Sequence, residues 1–269
     1  PYPNWNIIFT RDNGGTSNFH GLMAELNRRL SKGLQFTSSY AWSKNLSDAE
    51  GAAPTSFGAE NGPRLLDYFN RRADYGNVSF TRRHRFLTTF IWEIPVGRGR
   101  SFLGDAHRAV DAALGGWQLS GIALFQTGPF LTPTFTGTDP SGTGASRRAS
   151  QRPDLVGDPT PSTQDAAKWF ERAAFAAPAN NIGRYGYASV GSLVGPGTRN
   201  FSMALAKKFR FTERTGLQFE AQFSNIFNHL NLGTPGVNTS VAAFGTIIGT
   251  QTAEGTGPRV IQMGLRLFF

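Results

Sequence analysis

The sequence predicts an all-β fold, an antiparallel outer-membrane β-barrel with long extracellular loops, of which this chain supplies about 7–8 strands. Three observations carry that prediction. Long stretches alternate apolar and polar residues with period two, the connections alternate between brief turns and long polar loops, and the chain ends on an aromatic residue, Phe269, that closes an alternating run.

Composition narrows the field before any element is placed. The 269 residues carry 27 Lys plus Arg against 18 Asp plus Glu, a net charge of +9, with only 17% charged and 39% hydrophobic residues. Gly at 32 and Phe at 23 are plentiful. So low a charged share argues against a conventional enzyme with a charged surface, and so many rings argue against a disordered chain. No apolar run reaches the roughly 18 residues of a transmembrane helix, while mean hydropathy cannot register alternation. With no Cys, disulfides, thiolate metal sites and cysteine nucleophiles are excluded.

Taken in order, the first strand is expected over residues 19–30, where Leu22, Ala24 and Leu26 oppose Met23, Glu25 and Asn27. A turn at 31–33 leads to a second, with Leu34, Phe36, Tyr40 and Trp42 on one face and Gln35, Thr37, Ser39 and Ser43 on the other. After a polar stretch at 44–80, residues 85–96 set Phe86, Phe90, Trp92 and Ile94 against Leu87, Thr89, Ile91 and Glu93. The connection 97–116 is intermediate, and 117–125 is a fourth strand. A long loop at 136–198 precedes a strand at 201–209 and a turn at 212–216. Leu217, Phe219, Ala221 and Phe223 then alternate with Gln218, Glu220, Gln222 and Ser224. A last loop, 229–257, precedes the final run, where Ile261, Met263, Leu265, Leu267 and Phe269 alternate with Val260, Gln262, Gly264, Arg266 and Phe268.

The order of long and short connections fixes a direction. The last strand of such a barrel ends in the periplasm, and counting back from Phe269 puts every short turn on that side and every long loop outside. Seven strands are an odd number, and residues 1–9 have no basic head or apolar run of a signal peptide, so the expectation is one partial barrel domain, residues 1–269, from the C-terminal part of a larger barrel. A soluble β-sandwich is the alternative, since its inner face is also apolar. A loop as long as 136–198 would be anomalous there and is ordinary outside a barrel.

Particular residues add a resemblance. Asp74-Tyr75-Gly76-Asn77, Arg82-Arg83-His84-Arg85-Phe86, Trp92-Glu93-Ile94-Pro95-Val96-Gly97, Gly116-Trp117-Gln118-Leu119-Ser120-Gly121-Ile122 and Thr127-Gly128-Pro129-Phe130 occur in that order. They are followed by Arg152-Pro153-Asp154-Leu155, Trp169-Phe170 before Ala174-Phe175, Gly195-Pro196-Gly197 with Arg199-Asn200-Phe201, and Asn225-Ile226-Phe227-Asn228-His229. Together, over nearly the whole chain from Phe19, they resemble the C-terminal barrel of Oar-like TonB-dependent transporters, the type fused to a carboxypeptidase-regulatory-like domain. That resemblance implies a barrel of about 22 strands around a plug, importing bulky nutrients with energy relayed by TonB from the inner membrane. This chain carries neither plug nor TonB box, so TonB would act through an N-terminal region outside it. A non-transporting surface barrel, an adhesin or anchor, is the alternative.

No constellation points to catalysis, a cofactor or a metal. His20, His84, His107 and His229 lack ligand spacing, Gly97-Arg98-Gly99-Arg100 lacks the Gly-Lys-Ser/Thr of a phosphate loop, and the segment 139–144 fails the EF-hand pattern. His84 with Asp74 and His229 with Ser224 are nominal pairs for a barrel enzyme, and their spacing makes no particular geometry. The basic residues Arg28, Arg29, Lys32, Arg98, Arg100, Lys207, Lys208, Arg210 and Arg214 gather near the expected periplasmic rim, where anionic headgroups attract them. Arg82, Arg83 and Arg85 fall at the outer end, facing lipopolysaccharide phosphates. Nucleic acid is not an expected partner, because the aromatic residues lie on the face opposite the polar ones. Residues 165–175 have helical spacing, and Trp169, Phe170 and Phe175 are candidates for a substrate-contact loop, with loop packing the plainer reading. Ile261, Met263, Leu265, Leu267 and Phe269 resemble the signal read by the barrel assembly machinery.

Overall fold

A computed structural model describes residues 13–48, 66–67, 69–142 and 151–269. Its frame is one antiparallel sheet of seven long strands: β1 (Ser17–Ser31), β2 (Leu34–Ser47), β3 (His84–Glu93), β4 (Trp117–Gln126), β5 (Thr198–Arg210), β6 (Gly216–Ser224) and β7 (Val260–Phe268). Each strand pairs with its chain neighbour, in the order β1-β2-β3-β4-β5-β6-β7. The seven predicted strands are all present within a few residues. β3 stops at Glu93 rather than at 96, because Pro95 has no N–H to give a ladder and Val96 enters a tight turn. Among the described residues the sheet is open, with β1 and β7 at its edges.

Register gives the sheet two chemically distinct faces. The row Phe36, Phe90, Gly121, Met203, Phe223, Ile261 crosses six strands, and Leu34, Trp92, Leu119, Leu205, Ala221, Met263 runs beside it. Between these rows, on the opposite face, run Gln35, Ile91, Ser120, Ala204, Gln222 and Gln262. Among the described residues only the short helix α1 (Arg108–Leu114), at the inner end, lies against the apolar face. Phe86 and Trp92 on the inner strand β3 are exposed, and Leu22, Leu26, Met263 and Leu265 on the edge strands are each more than half exposed. In water, so broad an uncovered apolar surface would be untenable. This is the arrangement of a lipid-facing sheet, and it removes the sandwich alternative.

Aromatic rings mark both ends of that apolar face. Towards the outer end Phe86 packs on Phe125, Phe125 edge-on against Phe201, and Phe201 edge-on against Phe227. Towards the inner end Trp117 meets Phe219 edge-on. Trp117 and Phe125 bound the apolar face of β4, about 27 Å apart at a rise of about 3.4 Å per residue. With strand tilt this matches the hydrocarbon band and its two aromatic girdles.

Two of the three inner connections, β1–β2 and β5–β6, are short turns. Lys32 (φ 51) and Gly33 (φ 78) make a two-residue hairpin turn between β1 and β2. The β3–β4 connection carries the helix α1 (Arg108–Leu114). The outer connections build a packed layer instead. Phe130–Leu131 pairs with Leu193–Val194, Asp154–Leu155 pairs with Phe175–Ala176, and Phe170, Leu193 and Phe244 form a buried cluster. The hydrophobic core of this chain therefore lies in its outer loops, because the strands spend their apolar face on lipid.

Candidate functional site

The outer loop layer is assembled by the residues that carried the family resemblance. Asp74, in the short 3-10 turn Arg71–Asp74, accepts from Arg152 Nη1 at 2.5 Å and from the Leu66 backbone N–H at 2.7 Å, while Arg152 Nη2 donates to the Ala73 carbonyl at 2.9 Å. Asp154 accepts a two-pronged pair from Arg184, at 2.8 and 2.6 Å. Arg83 donates to the Ser43 carbonyl and to Asn77 and lies over the Phe130 ring. Glycines let these segments meet backbone to backbone: a Cβ on Gly128 would lie 1.7 Å from the Gly195 carbonyl oxygen, and one on Gly76 2.2 Å from that of Val190.

The last loop folds onto the polar face. Asn225, in the left-handed region at φ 48, is buried and ties the loop's ends, donating to the carbonyls of His229 and Gly257 and accepting from the His229 N–H. Asn231 does the same for β5, accepting from the Arg199 N–H at 2.8 Å and donating to the Thr256 carbonyl. The result is a hydrogen-bonded row across β3, β4, β5 and the loop. Arg85 donates to Gln126 at 2.5 Å, Gln126 to Thr198 at 3.1 Å, and Thr198 to Gln251 at 2.7 Å. Arg85 also pairs with Glu254 at 2.6 Å, and Asn200 donates to the Glu254 carbonyl at 2.9 Å. Glu254 itself sits at φ 55, held there by these contacts. The strip around Glu254 covers Leu124 and Asn200, leaving both almost fully buried. Behind it, Arg82 has a pKa lowered by burial and by the neighbouring Arg85 charge, an effect that Glu254 opposes.

Below this strip the polar face offers donors and acceptors of both charge signs: Glu93, Gln118, Ser120, Lys208, Gln218, Glu220, Gln222 and Arg266. Such a wall can hydrogen-bond and ion-pair with polar solutes. The two nominal enzymatic pairs are not brought together by their side chains. Asp74 is held by Arg152, whereas His84 Nδ1 lies 2.8 Å from the Tyr40 hydroxyl on the apolar face. His229 serves through its backbone.

Several expectations shift at this level of detail. The helix expected over 165–175 is absent, and only the 3-10 turn Arg172–Ala174 forms there. The alanine-rich spacing is instead used to bury Phe170, 4% exposed, with Trp169 and Phe175 partly buried against its cluster. Trp169 Nε1 donates to the Val194 carbonyl, and Phe175 packs edge-on against Phe244. Of the three, Trp169 and Phe175 keep part of the ring exposed. Phe170→Ala should destabilise the loop layer by about 3–5 kcal/mol, as burial of a large ring predicts. Trp169→Ala should leave that layer folded, and loop-directed limited proteolysis distinguishes the two.

The three outer arginines expected to meet lipopolysaccharide are directed to internal partners: Arg82 to the Ser79 carbonyl, Arg83 to Ser43 and Asn77, and Arg85 to Gln126 and Glu254. Among the inner basic residues Lys207 departs from the rest, being buried at 4% exposure. The sequence reading also missed α1, whose signals are the short run Arg108–Leu114 closed by Gly115-Gly116.

The terminal strand is laid out as expected. Ile261, Met263, Leu265 and Leu267 pair on the apolar face with Phe223, Ala221, Phe219 and Leu217, and Phe269 projects beyond the strand, 95% exposed. Deleting Phe269 should reduce the fraction of full-length protein that reaches the outer membrane as a heat-modifiable barrel; unchanged assembly would overturn the expectation that it is part of an assembly signal.

A family model described as an outer membrane beta barrel domain matches residues 1–262. No curated protein and no solved structure matches the chain.

Proposed function

From the chain's membership of the outer membrane beta barrel domain family, which places it in the outer membrane, we propose that it forms part of a TonB-dependent transporter. In this reading a bulky polar nutrient enters past the outer loop layer, and energy reaches the barrel through an N-terminal region that contacts TonB. The observation that carries it is the loop folded onto the polar face, where Arg85, Gln126, Thr198, Gln251 and Glu254 form one connected row. In a closed barrel this loop would stand across the mouth of the polar passage and govern entry, a role that supports transport over anchoring. In this reading lipopolysaccharide, anionic lipid and the barrel assembly machinery are its partners.

The second reading, a non-transporting adhesin or anchor, draws on exposed apolar residues in the outer loops, Phe69 at 96% and Ile248 at 97%. Medium depletion separates the two. Cells with and without the full-length protein are grown in a complex medium, and solutes are followed by mass spectrometry with and without a protonophore. Transport predicts at least one polar solute whose loss requires both the protein and the proton-motive force. Identical depletion profiles, with the protein present in the outer membrane, would favour the adhesin or anchor.

A further inference from the structure

The connection between β3 and β4 is more than a turn. Gly97 to Phe102 closes a tight hairpin, with the Gly97 N–H donating to the Phe102 carbonyl and the Phe102 N–H to that of Pro95. α1 follows, and its Asp111 is drawn back against the hairpin: Asp111 Oδ1 accepts from the Arg98 N–H at 2.8 Å. Gly97 and Gly115 leave room for this, since a Cβ on either would lie within 2.4 Å of that oxygen. Val110 and Leu114 lie four residues apart on one helical face of α1. Both are exposed, as are Phe102 and Leu103 in the same connection.

The position of α1 says what these side chains meet. Lys207 belongs to the apolar face of the sheet, in register with Trp117 and Phe219. Its Nζ donates to the carbonyls of Ala112 and Ala113, at 2.6 and 3.0 Å, and lies over the rings of Trp117 and Phe209. The Trp117 indole N–H donates to the same Ala113 carbonyl at 3.0 Å. The last turn of α1 therefore sits on the lipid-facing side of the barrel wall, level with the inner aromatic girdle. A lysine on that face would carry an uncompensated charge towards hydrocarbon. Here the free carbonyls of a helix C-terminus receive it.

We propose that the segment 94–116 is an interfacial lipid anchor, with α1 lying in the periplasmic leaflet of the outer membrane, Val110 and Leu114 in the acyl boundary, and Lys207 as the clamp that holds it there. Continuity with the lipid-facing sheet and the flanking charges select the occupant. Arg98, Arg100 and Arg108 are exposed beside the apolar residues, a combination that fits phospholipid with anionic headgroups. The inference rests on the outer-membrane location and not on transport.

Residues 1–269 contain no Cys, so each introduced label is unique within them, and any Cys elsewhere in the full-length protein is first replaced by Ser. Val110→Cys and Leu114→Cys, each nitroxide-labelled in the full-length protein, are reconstituted in vesicles of phosphatidylethanolamine and phosphatidylglycerol. Their relative accessibility to oxygen and to a water-soluble nickel chelate is compared with that of Met203→Cys on the lipid face and Asp105→Cys in the turn. Both helix labels should shift towards the Met203 value. Values matching Asp105→Cys would overturn the anchor, including the case in which α1 serves a protein partner, because only lipid is present. Adding Lys207→Met should move the Leu114 label towards the aqueous value. An unmoved label in a folded barrel would overturn the clamp.

Discussion

Arg152→Ala should destabilise the outer loop layer by about 3–5 kcal/mol while the seven-stranded sheet stays intact. The two partners are 6% and 10% exposed at their side chains, so removing the guanidinium leaves the Asp74 carboxylate buried with, among the described residues, the Leu66 backbone N–H as its donor. The loss falls on the contact between the first and second outer loops, since Arg152 also holds the Ala73 carbonyl. Arg152→Lys should recover little, because an ammonium cannot reach the carboxylate and that carbonyl with one planar fork. Pairing Arg152→Met with Asp74→Leu should be milder than either truncation, because it removes both charges together. Faster loop cleavage by added protease, with unchanged heat-modifiability of the barrel, is the expected signature. Equal stability of Arg152→Ala and the parent would show that the pair is not a loop staple.

What could be read from the sequence follows from what organises each part. Strands that face lipid on one side and a polar lumen on the other keep a strict period of two, so Leu217 to Ser224 and Val260 to Phe268 announce both their structure and their register. The outer layer has no such period. Phe170, Leu193 and Phe244 come from separate stretches of loop and meet only in three dimensions. Helical spacing at 165–175 misleads because its rings are gathered by that cluster and not by a helix, whereas α1 is too short to show a period at all. The polar row shows the same limit. Arg85, Gln126 and Thr198 are unremarkable in sequence, and register alone brings them side by side for Gln251 and Glu254 to close.

The face assignment itself makes the sharpest demand, and two arginine substitutions test it. Met203 lies on β5 between the girdles, in the row of Phe36, Phe90 and Gly121, and Ser120 lies one residue along β4 on the opposite face. A guanidinium at Met203 must enter hydrocarbon near its midplane, which costs about 2–4 kcal/mol in a barrel. A guanidinium at Ser120 enters the lumen, beside Gln118 and within reach of Gln222 across the polar rows, and should cost less than about 1 kcal/mol. Reversible urea unfolding of the full-length protein in phospholipid vesicles measures both. A soluble sheet buried against a second layer would also reject Met203→Arg in detergent-free water, so vesicles of different thickness add the deciding control. In thinner bilayers the penalty at Met203 should fall, as the charge comes closer to an interface, while Ser120→Arg stays unaffected. Equal penalties for the two variants, or a Met203 penalty independent of bilayer thickness, would mean that the row from Phe36 to Ile261 does not face lipid.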